Sequence, residues 1–241
     1  MTLDDLHGRN GLLAALDSDE WEQLRPALQV VELERKTVLY EAGGPVDQIY
    51  FPHNAVVSLV AVMRDGRVAE TGTVGREGFT GSETILGNDD TANSHCLVQV
   101  AGAASKMPLS TLRSFLEEHP HARQLLLAYT RALFAQVLQS VACNATHSVE
   151  ERCARWLLMT HDRAATDTFE LTQEFLAVML SVRRASVNIV GNAFQKAGLI
   201  RYSRGKITIL DRAGLEAASC ECYSRIRRVF EQLLPYPQQK H

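Results

Sequence analysis

The sequence predicts an α+β fold in three parts: an N-terminal β-roll, a long helix and a C-terminal winged helix-turn-helix. Three observations predict it. Short β-rich segments crowd residues 28–108 and then stop. A helical stretch follows whose apolar residues recur in alternating steps of four and three. Residues 171–210 then run as capped helix, short turn, second helix and basic hairpin.

The first part opens with helical pattern. Leu12, Leu13 and Leu16 are apolar, and Asp17 or Ser18 can cap a helix through Trp21 and Leu24. The period then changes. Val30–Leu33, Thr37–Tyr40, Gln48–Phe51, Val56–Val62, Val68–Gly72 and His95–Val100 are short and rich in β-branched and aromatic residues. Asp65-Gly66 between two apolar runs is a hairpin signal. Many short strands at close spacing argue a roll or barrel, and this region is placed at 1–118.

The second part, 119–146, follows Pro120. Leu126, Leu133 and Ser140 share one heptad core position, and Thr130, Val137 and Asn144 share the other. The expected dimer interface is therefore Leu126, Thr130, Leu133, Val137 and Ser140. A helix packed on its own domain shows the same steps.

The third part, 147–241, starts at a capping box, Ser148 with Glu151. Asp162 to Thr168 reads as a polar link. Thr172 can cap a helix carrying Phe175, Leu176 and Met179. Ala177 is small enough for a steep helix crossing, and Val182 can plug the angle. A second helix buries Val187, Val190 and Phe194 and stops at Gly198. Arg183, Arg184, Ser186 and Asn188 fall at its exposed N-terminal end. Such an end suits the major groove: Arg matches guanine O6 and N7, and Asn can pair adenine. Thr172, Gln173 and Ser186 suit phosphate or base-edge contacts. The hairpin adds Arg201, Arg204 and Lys206 at a basic wing. Asp211 to Leu234 reads as one terminal helix.

Charge agrees with this division. The formal net charge is −3. Residues 1–100 carry 16 acids against 7 bases, whereas 183–228 carry 10 bases against 3 acids. Such a split suggests that one end meets a polyanion. The N-terminal stretch is short, polar and acidic, so no signal peptide is expected. No apolar run reaches the roughly 18 residues of a membrane span. The five cysteines, Cys96, Cys143, Cys153, Cys220 and Cys222, are odd in number and irregular in spacing. A reducing cytoplasm is the expected location.

These motifs resemble the CRP/FNR family of bacterial transcription regulators across nearly the whole chain. Ser148–Leu158 resembles the family's helix leading into the DNA domain, and Gly198-Leu199-Ile200 its recognition-helix exit. The resemblance implies a cyclic-nucleotide-binding-like β-roll (a double-stranded β-helix), a dimer helix, double-stranded DNA and a second copy as partners, and RNA polymerase as a further one. Arg184 falls on the family's first base-reading Arg, while Ala185 and Ile189 stand where a Glu and a second basic residue are usual. Relatives that bind cyclic AMP carry a Gly-Glu-x-Gly turn and a later Arg-Ser pair. Here the turn is read as Gly75-Arg76-Glu77-Gly78, and no Arg or Lys lies between Arg76 and Lys106. Thr91, Asn93 and Ser94 complete the expected sensor pocket without supplying charge. Burying a phosphate without a cation is costly, so cyclic AMP is not expected in the usual mode. Arg76 is either an anion contact or a surface residue.

No cofactor is identified beyond an unknown small-molecule effector, and no metal is expected. The first cysteine is too late for an N-terminal iron–sulfur cluster. Cys220 and Cys222, read on one helix, point about 200° apart. His53 and His95 read as structural or exposed rather than haem-ligating. No Walker loop, zinc-spaced His/Cys set or Gly-x-Ser-x-Gly elbow occurs, so an enzyme is not expected. The competing reading is a ligand-binding regulatory module acting through protein partners.

Overall fold

The computed structural model describes residues 3–234; the outermost limits of the first and third predicted parts lie outside them. Helices α1 (Leu3–His7), α2 (Gly11–Ala14) and α3 (Ser18–Leu24) precede the roll. The Glu20 carboxylate accepts the Asp17 N–H at 3.0 Å and the Ala122 N–H at 2.9 Å, which fastens α3 to the later long helix.

The roll contains β1 (Gln29–Leu33), β2 (Val38–Tyr40), β3 (Gln48–Pro52), β4 (Val56–Val62), β5 (Val68–Val74), β6 (His95–Val100) and β7 (Gly102–Pro108). They form two antiparallel sheets, ordered β1-β7-β3 and β2-β6-β4-β5. Six strands coincide with the β-rich segments. The seventh, β7, was not expected: Gly102-Ala103-Ala104-Ser105 has no β-branched residue. Its place between β1 and β3 makes it a strand, since both neighbours pair with it along its length. Gly66 takes φ +81 in the turn between β4 and β5, as the Asp-Gly signal requires.

Helix α4 (Leu109–Glu118) leads to α5 (Pro120–Thr146). The predicted seam on α5 is corrected. Leu126, Thr130, Leu133 and Ser140 are buried and Val137 half-buried within the single chain. Gly72 of β5 lies against Leu133, Gln136 and Val137. The heptad steps therefore mark the face that covers the chain's own roll. A second stripe stays bare: Phe134, Leu138 and Val141 are 63%, 56% and 65% exposed. Contrary to the reading of short apolar runs, α5 also has the length and mean hydropathy (1.3) of a membrane span. Of that span 44% is buried, against roll and head.

The head comprises α6 (Val149–Ala164), β8 (Thr168–Glu170), α7 (Gln173–Met179), α8 (Arg184–Lys196), β9 (Ile200–Ser203), β10 (Lys206–Ile209), α9 (Arg212–Ala218) and α10 (Cys222–Leu233). Strand β8 replaces part of the expected polar link and completes a sheet β8-β10-β9. The single terminal helix expected from Asp211 is instead two. Asp211 caps α9 through the Gly214 N–H at 2.9 Å, and the Ser219 hydroxyl closes it on the Glu216 carbonyl at 2.8 Å. Helix α10 packs on α5 through buried Tyr223, Ile226 and Phe230.

Helix α6 joins roll and head through polar contacts. Trp156 Nε1 donates to Glu70 at 2.8 Å. The Ser58 hydroxyl lies 2.7 Å from the other Glu70 oxygen and 2.8 Å from Gln99 Oε1. One hydroxyl proton cannot serve both acceptors. A protonated Glu70 resolves this: its O–H donates to Ser58, and Ser58 donates to Gln99. Burial pushes the Glu70 carboxyl up to about 7, against the opposing hydrogen bonds of Ser58 and Trp156. Because the folded value exceeds the ordinary 4.5, this contribution to stability is complete below pH 4.5 and is lost as pH rises through 7. Thermal unfolding should show the wild type losing up to about 3 kcal/mol from this group across that window, at 1.36 kcal/mol per unit. Glu70→Gln keeps a donor and an acceptor, so its stability should change less with pH. An identical pH slope in the two proteins would remove Glu70 from this role.

Candidate DNA interface

Thr172 is the N-cap of α7, and its Oγ1 accepts the Phe175 N–H at 3.1 Å. Phe175, Leu176, Ala177 and Met179 are buried. The chain then turns at Ser181, which takes φ +53. The Val182 N–H reaches the Ala177 carbonyl at 2.9 Å, so the small residue and the plug stand as the sequence suggested. Arg183 is the N-cap of α8 in extended conformation and supplies no side-chain cap bond. The first N–H groups of α8 therefore remain for an anion. Val187, Val190 and Phe194 form the buried side of α8.

Helix α8 ends in a Schellman motif. The Leu199 N–H bonds the Phe194 carbonyl at 2.9 Å and the Gly198 N–H bonds the Gln195 carbonyl at 3.0 Å, with Gly198 at φ +74. The stop aims β9 back along α7. The Tyr202 hydroxyl donates to the Leu171 carbonyl at 2.8 Å and fastens the wing there. At the wing tip Arg204 and Gly205 take φ +51 and +76, the two positive values of a type I′ turn.

The predicted DNA-contacting residues lie at the start of α7, around the start of α8 and on the wing. Arg183, Arg184, Asn188, Arg201, Arg204 and Lys206 are exposed; Thr172, Gln173 and Ser186 are half-buried. Gln173 Nε2 lies 3.4 Å and Asn192 Nδ2 3.2 Å from Asn188 Oδ1. Asn188 thus has its acceptor occupied and its amide donors outward, which suits thymine O4 or guanine better than the adenine pairing expected from residue type alone. Lys206 stands 4.0 Å from Glu170 at the surface. Ile189, read in sequence only as a lost basic contact, is 71% exposed in the middle of this edge.

Two contacts behind the edge were not visible in sequence. Arg152 of α6 donates from Nη2 to the Leu180 carbonyl at 2.5 Å, at the C-terminus of α7. Its Nε donates to Asn144 of α5 at 3.1 Å. One side chain thereby ties the long helix to the turn between α7 and α8. Partners 8 and 28 residues apart leave no local pattern.

The residues of the predicted sensor pocket make contacts within the chain itself. A Cβ on Gly78 would lie 2.0 Å from the Tyr129 ring, and one on Gly75 2.5 Å from Arg163. Glu77 is buried and bonds Arg163 Nε at 2.8 Å. The adjacent cleft, lined by Arg76, Glu77 and Arg163 among others, measures about 40 Å³, room for a few waters. Thr91 and Asn93 make their own local contacts. Thr91 bridges Pro45, and the Asn93 N–H faces Glu83 at 3.4 Å. The glycines of the Gly75–Gly78 turn let α5 and α6 approach the roll closely. Arg76 is half-buried rather than a surface residue, and burial lowers its pKa.

Comparison with known proteins agrees with this layout. Residues 30–119 match the model of the cyclic nucleotide-binding domain, and 151–218 match that of the Crp-like helix-turn-helix domain. The chain belongs to the CRP/FNR family. A CRP-like cAMP-activated global transcriptional regulator of Mycobacterium tuberculosis is 24% identical over 216 residues, covering 87% of this chain and 96% of the relative. The transcriptional regulator SdrP of Thermus thermophilus is 27% identical over 199 residues, covering 76% and 93%. Among solved structures, FixK2 from Bradyrhizobium japonicum superposes with a TM-score of 0.67 at 14% identity, covering 80% of this chain and 98% of FixK2. This CRP/FNR protein is a transcriptional regulator with a helix-turn-helix DNA-binding domain.

One glycine within α8 and one just past its end test the local geometry. Gly198→Ala forces a left-handed residue and should cost about 1 kcal/mol in thermal or urea unfolding. Gly191 lies mid-helix with open space at its Cβ, so Gly191→Ala should add about 0.5–1 kcal/mol. Equal effects of the two substitutions would contradict the assigned helix end.

Proposed function

We propose that this chain acts as a homodimer that reads a two-fold-symmetric operator, under a signal other than cyclic AMP held in the usual way. The observation that carries the reading is the exposed edge of α8 beside a basic wing. Arg183 and Arg184 serve guanine O6 and N7. Ile189 and Ala185 present methyl groups to thymine C5-methyl, the apolar half of the base code. Thr172, Gln173, Ser186 and the open N-terminus of α8 take phosphate, and Arg201, Arg204 and Lys206 do so from the wing. The cytoplasm is the place of action, with RNA polymerase as the expected protein partner.

The dimer is supported by the bare stripe on α5. Leu127, Arg131, Phe134, Leu138, Val141 and Ala145 repeat the four-three steps on the side away from the roll. Exposed Phe, Leu and Val in one row call for a partner, and a second copy brings two α8 helices to half-sites about 34 Å apart. Sedimentation of Phe134→Asp should show monomer where the wild type is dimer; an unchanged dimer would place the interface elsewhere.

Selection of bound oligonucleotides by the purified protein tests the reading edge. Arg184→Ala should lose about 1–3 kcal/mol and relax one base position in each half-site. Ile189→Ala should relax a thymine preference. Lys206→Ala should weaken all sequences alike and lower the salt slope by about 1. Binding unaffected by Arg184→Ala would favour a module acting through protein partners. Tightening of DNA binding by micromolar cyclic AMP would overturn the sensor reading.

A further inference from the structure

The fold gathers four metal-ligating side chains at the junction of α5 with the end of the head. Cys143 lies in the last turn of α5, and His147 is its C-cap. Cys220 sits between α9 and α10, and Cys222 opens α10. The reading of Cys220 and Cys222 on one helix is therefore corrected: a turn separates them, and both thiols converge on Cys143. The three cysteines form a buried cluster of their own. Sequence separations of up to 79 residues, from Cys143 to Cys222, hide the set from any spacing rule.

Its dimensions are those of a small tetrahedron. Cys143 Sγ and Cys220 Sγ lie 3.5 Å apart, and Cys222 Sγ lies 3.6 Å from His147 Nδ1. All four ligand atoms lie within 4.8 Å of one another. Zinc bonds of about 2.3 Å to sulfur and about 2.0 Å to nitrogen give tetrahedral edges of about 3.8 Å and about 3.5 Å. The two shortest edges already match, and the longest must contract by about 1 Å.

The surroundings fit a ligand set. His147 Nε2 lies 3.2 Å from the Glu221 carboxylate. That partner holds the ring proton on Nε2 and turns the Nδ1 lone pair toward the thiols, the carboxylate–histidine–metal arrangement. Gln139 Nε2 donates to Cys222 Sγ at 3.0 Å. Thr146 Oγ1, 3.4 Å from Nδ1, also bonds the Ala142 carbonyl at 2.8 Å and can give up the His147 contact. Three thiolates and a neutral imidazole around a divalent ion leave one negative charge, and the guanidiniums of Arg152 and Arg155 act on Cys143 from α6. A Cys143–Cys220 disulfide is the rival chemistry, but it would employ neither Cys222 nor the Glu221–His147 pair.

We propose that Cys143, His147, Cys220 and Cys222 form a closed zinc site that clamps the C-terminal turn of α5 to the α9–α10 junction of the head. On binding, three thiol protons pass to solvent, and three thiolates with one imidazole lone pair fill the four positions. No position remains for substrate, so the site is structural: it sets how rigidly the dimer helix carries the DNA head.

Elemental analysis of the full-length protein, purified under reducing conditions with zinc in the medium, should find one zinc per chain. Cobalt(II) added to chelator-stripped wild type should give thiolate-to-cobalt charge transfer and intense tetrahedral d–d bands, both abolished by equimolar zinc. The thermal midpoint should rise with metal. Cys220→Ser and Cys222→Ser should weaken cobalt binding by on the order of tenfold or more, and Cys153→Ala should leave the spectrum intact. The wild-type titration stands even where a variant fails to fold. Reduced wild type that takes up no cobalt, a weak octahedral spectrum, or a Cys143–Cys220 disulfide in the protein as isolated would overturn the proposal.

Discussion

The buried pair of Arg163 and Glu77 fixes where the DNA head sits. Their side chains are 7% and 4% exposed, so both charges are largely withdrawn from water. Every arm of the guanidinium is used: Nε to Glu77 at 2.8 Å, Nη1 to the Met159 carbonyl at 3.0 Å and Nη2 to Gln136 Oε1 at 2.9 Å. Burial works against the Arg163 charge, but Glu77 and Asp162 outweigh it and hold the pKa above the ordinary arginine value. The pair binds three bodies at one point, because Glu77 belongs to the roll, Gln136 to α5 and Arg163 to α6. Gln136 extends the network by donating to the Thr73 carbonyl at 3.1 Å. A charge stripped of its partner at such depth costs several kcal/mol, so the junction tolerates little rearrangement.

From this point one helix leads to the turn between α7 and α8. Helix α6 carries Arg163 at one end and Arg152 at the other, where it holds the turn between α7 and α8. Trp156 between them meets Glu70 of the roll. The roll and the α7–α8 turn are thus linked through one helix and two guanidiniums. The Cys143–His147–Cys220–Cys222 cluster lies beside this path, where Arg152 and Arg155 act on Cys143 at the end of α5.

Much of this order is legible in the sequence because it rests on local rules. The Ser148–Glu151 box, the Thr172 cap, the Gly198 stop and the Asp65-Gly66 turn each need only neighbours within a few residues. Periodicity found the strands and the two helices of the DNA motif. It did not find β7, whose residues are small and whose strand character comes from its neighbours. It also could not say which side of α5 faces inward, since the Leu126–Ser140 row and the Phe134–Val141 row have the same period. Long-range polar pairings were wholly hidden. Glu77 looked like a member of a ligand turn because its partner lies 86 residues away. Ile189 looked like an absence until its exposure gave it a role.

A double-mutant cycle at Arg163 and Glu77, followed by urea unfolding, tests the central claim most directly. Arg163→Met should cost about 3–5 kcal/mol by leaving Glu77 buried without its cation. The double substitution Arg163→Met with Glu77→Met should recover most of that loss, because no buried charge remains. Single and double variants that add independently, each within about 0.5 kcal/mol of the wild type, would contradict the account.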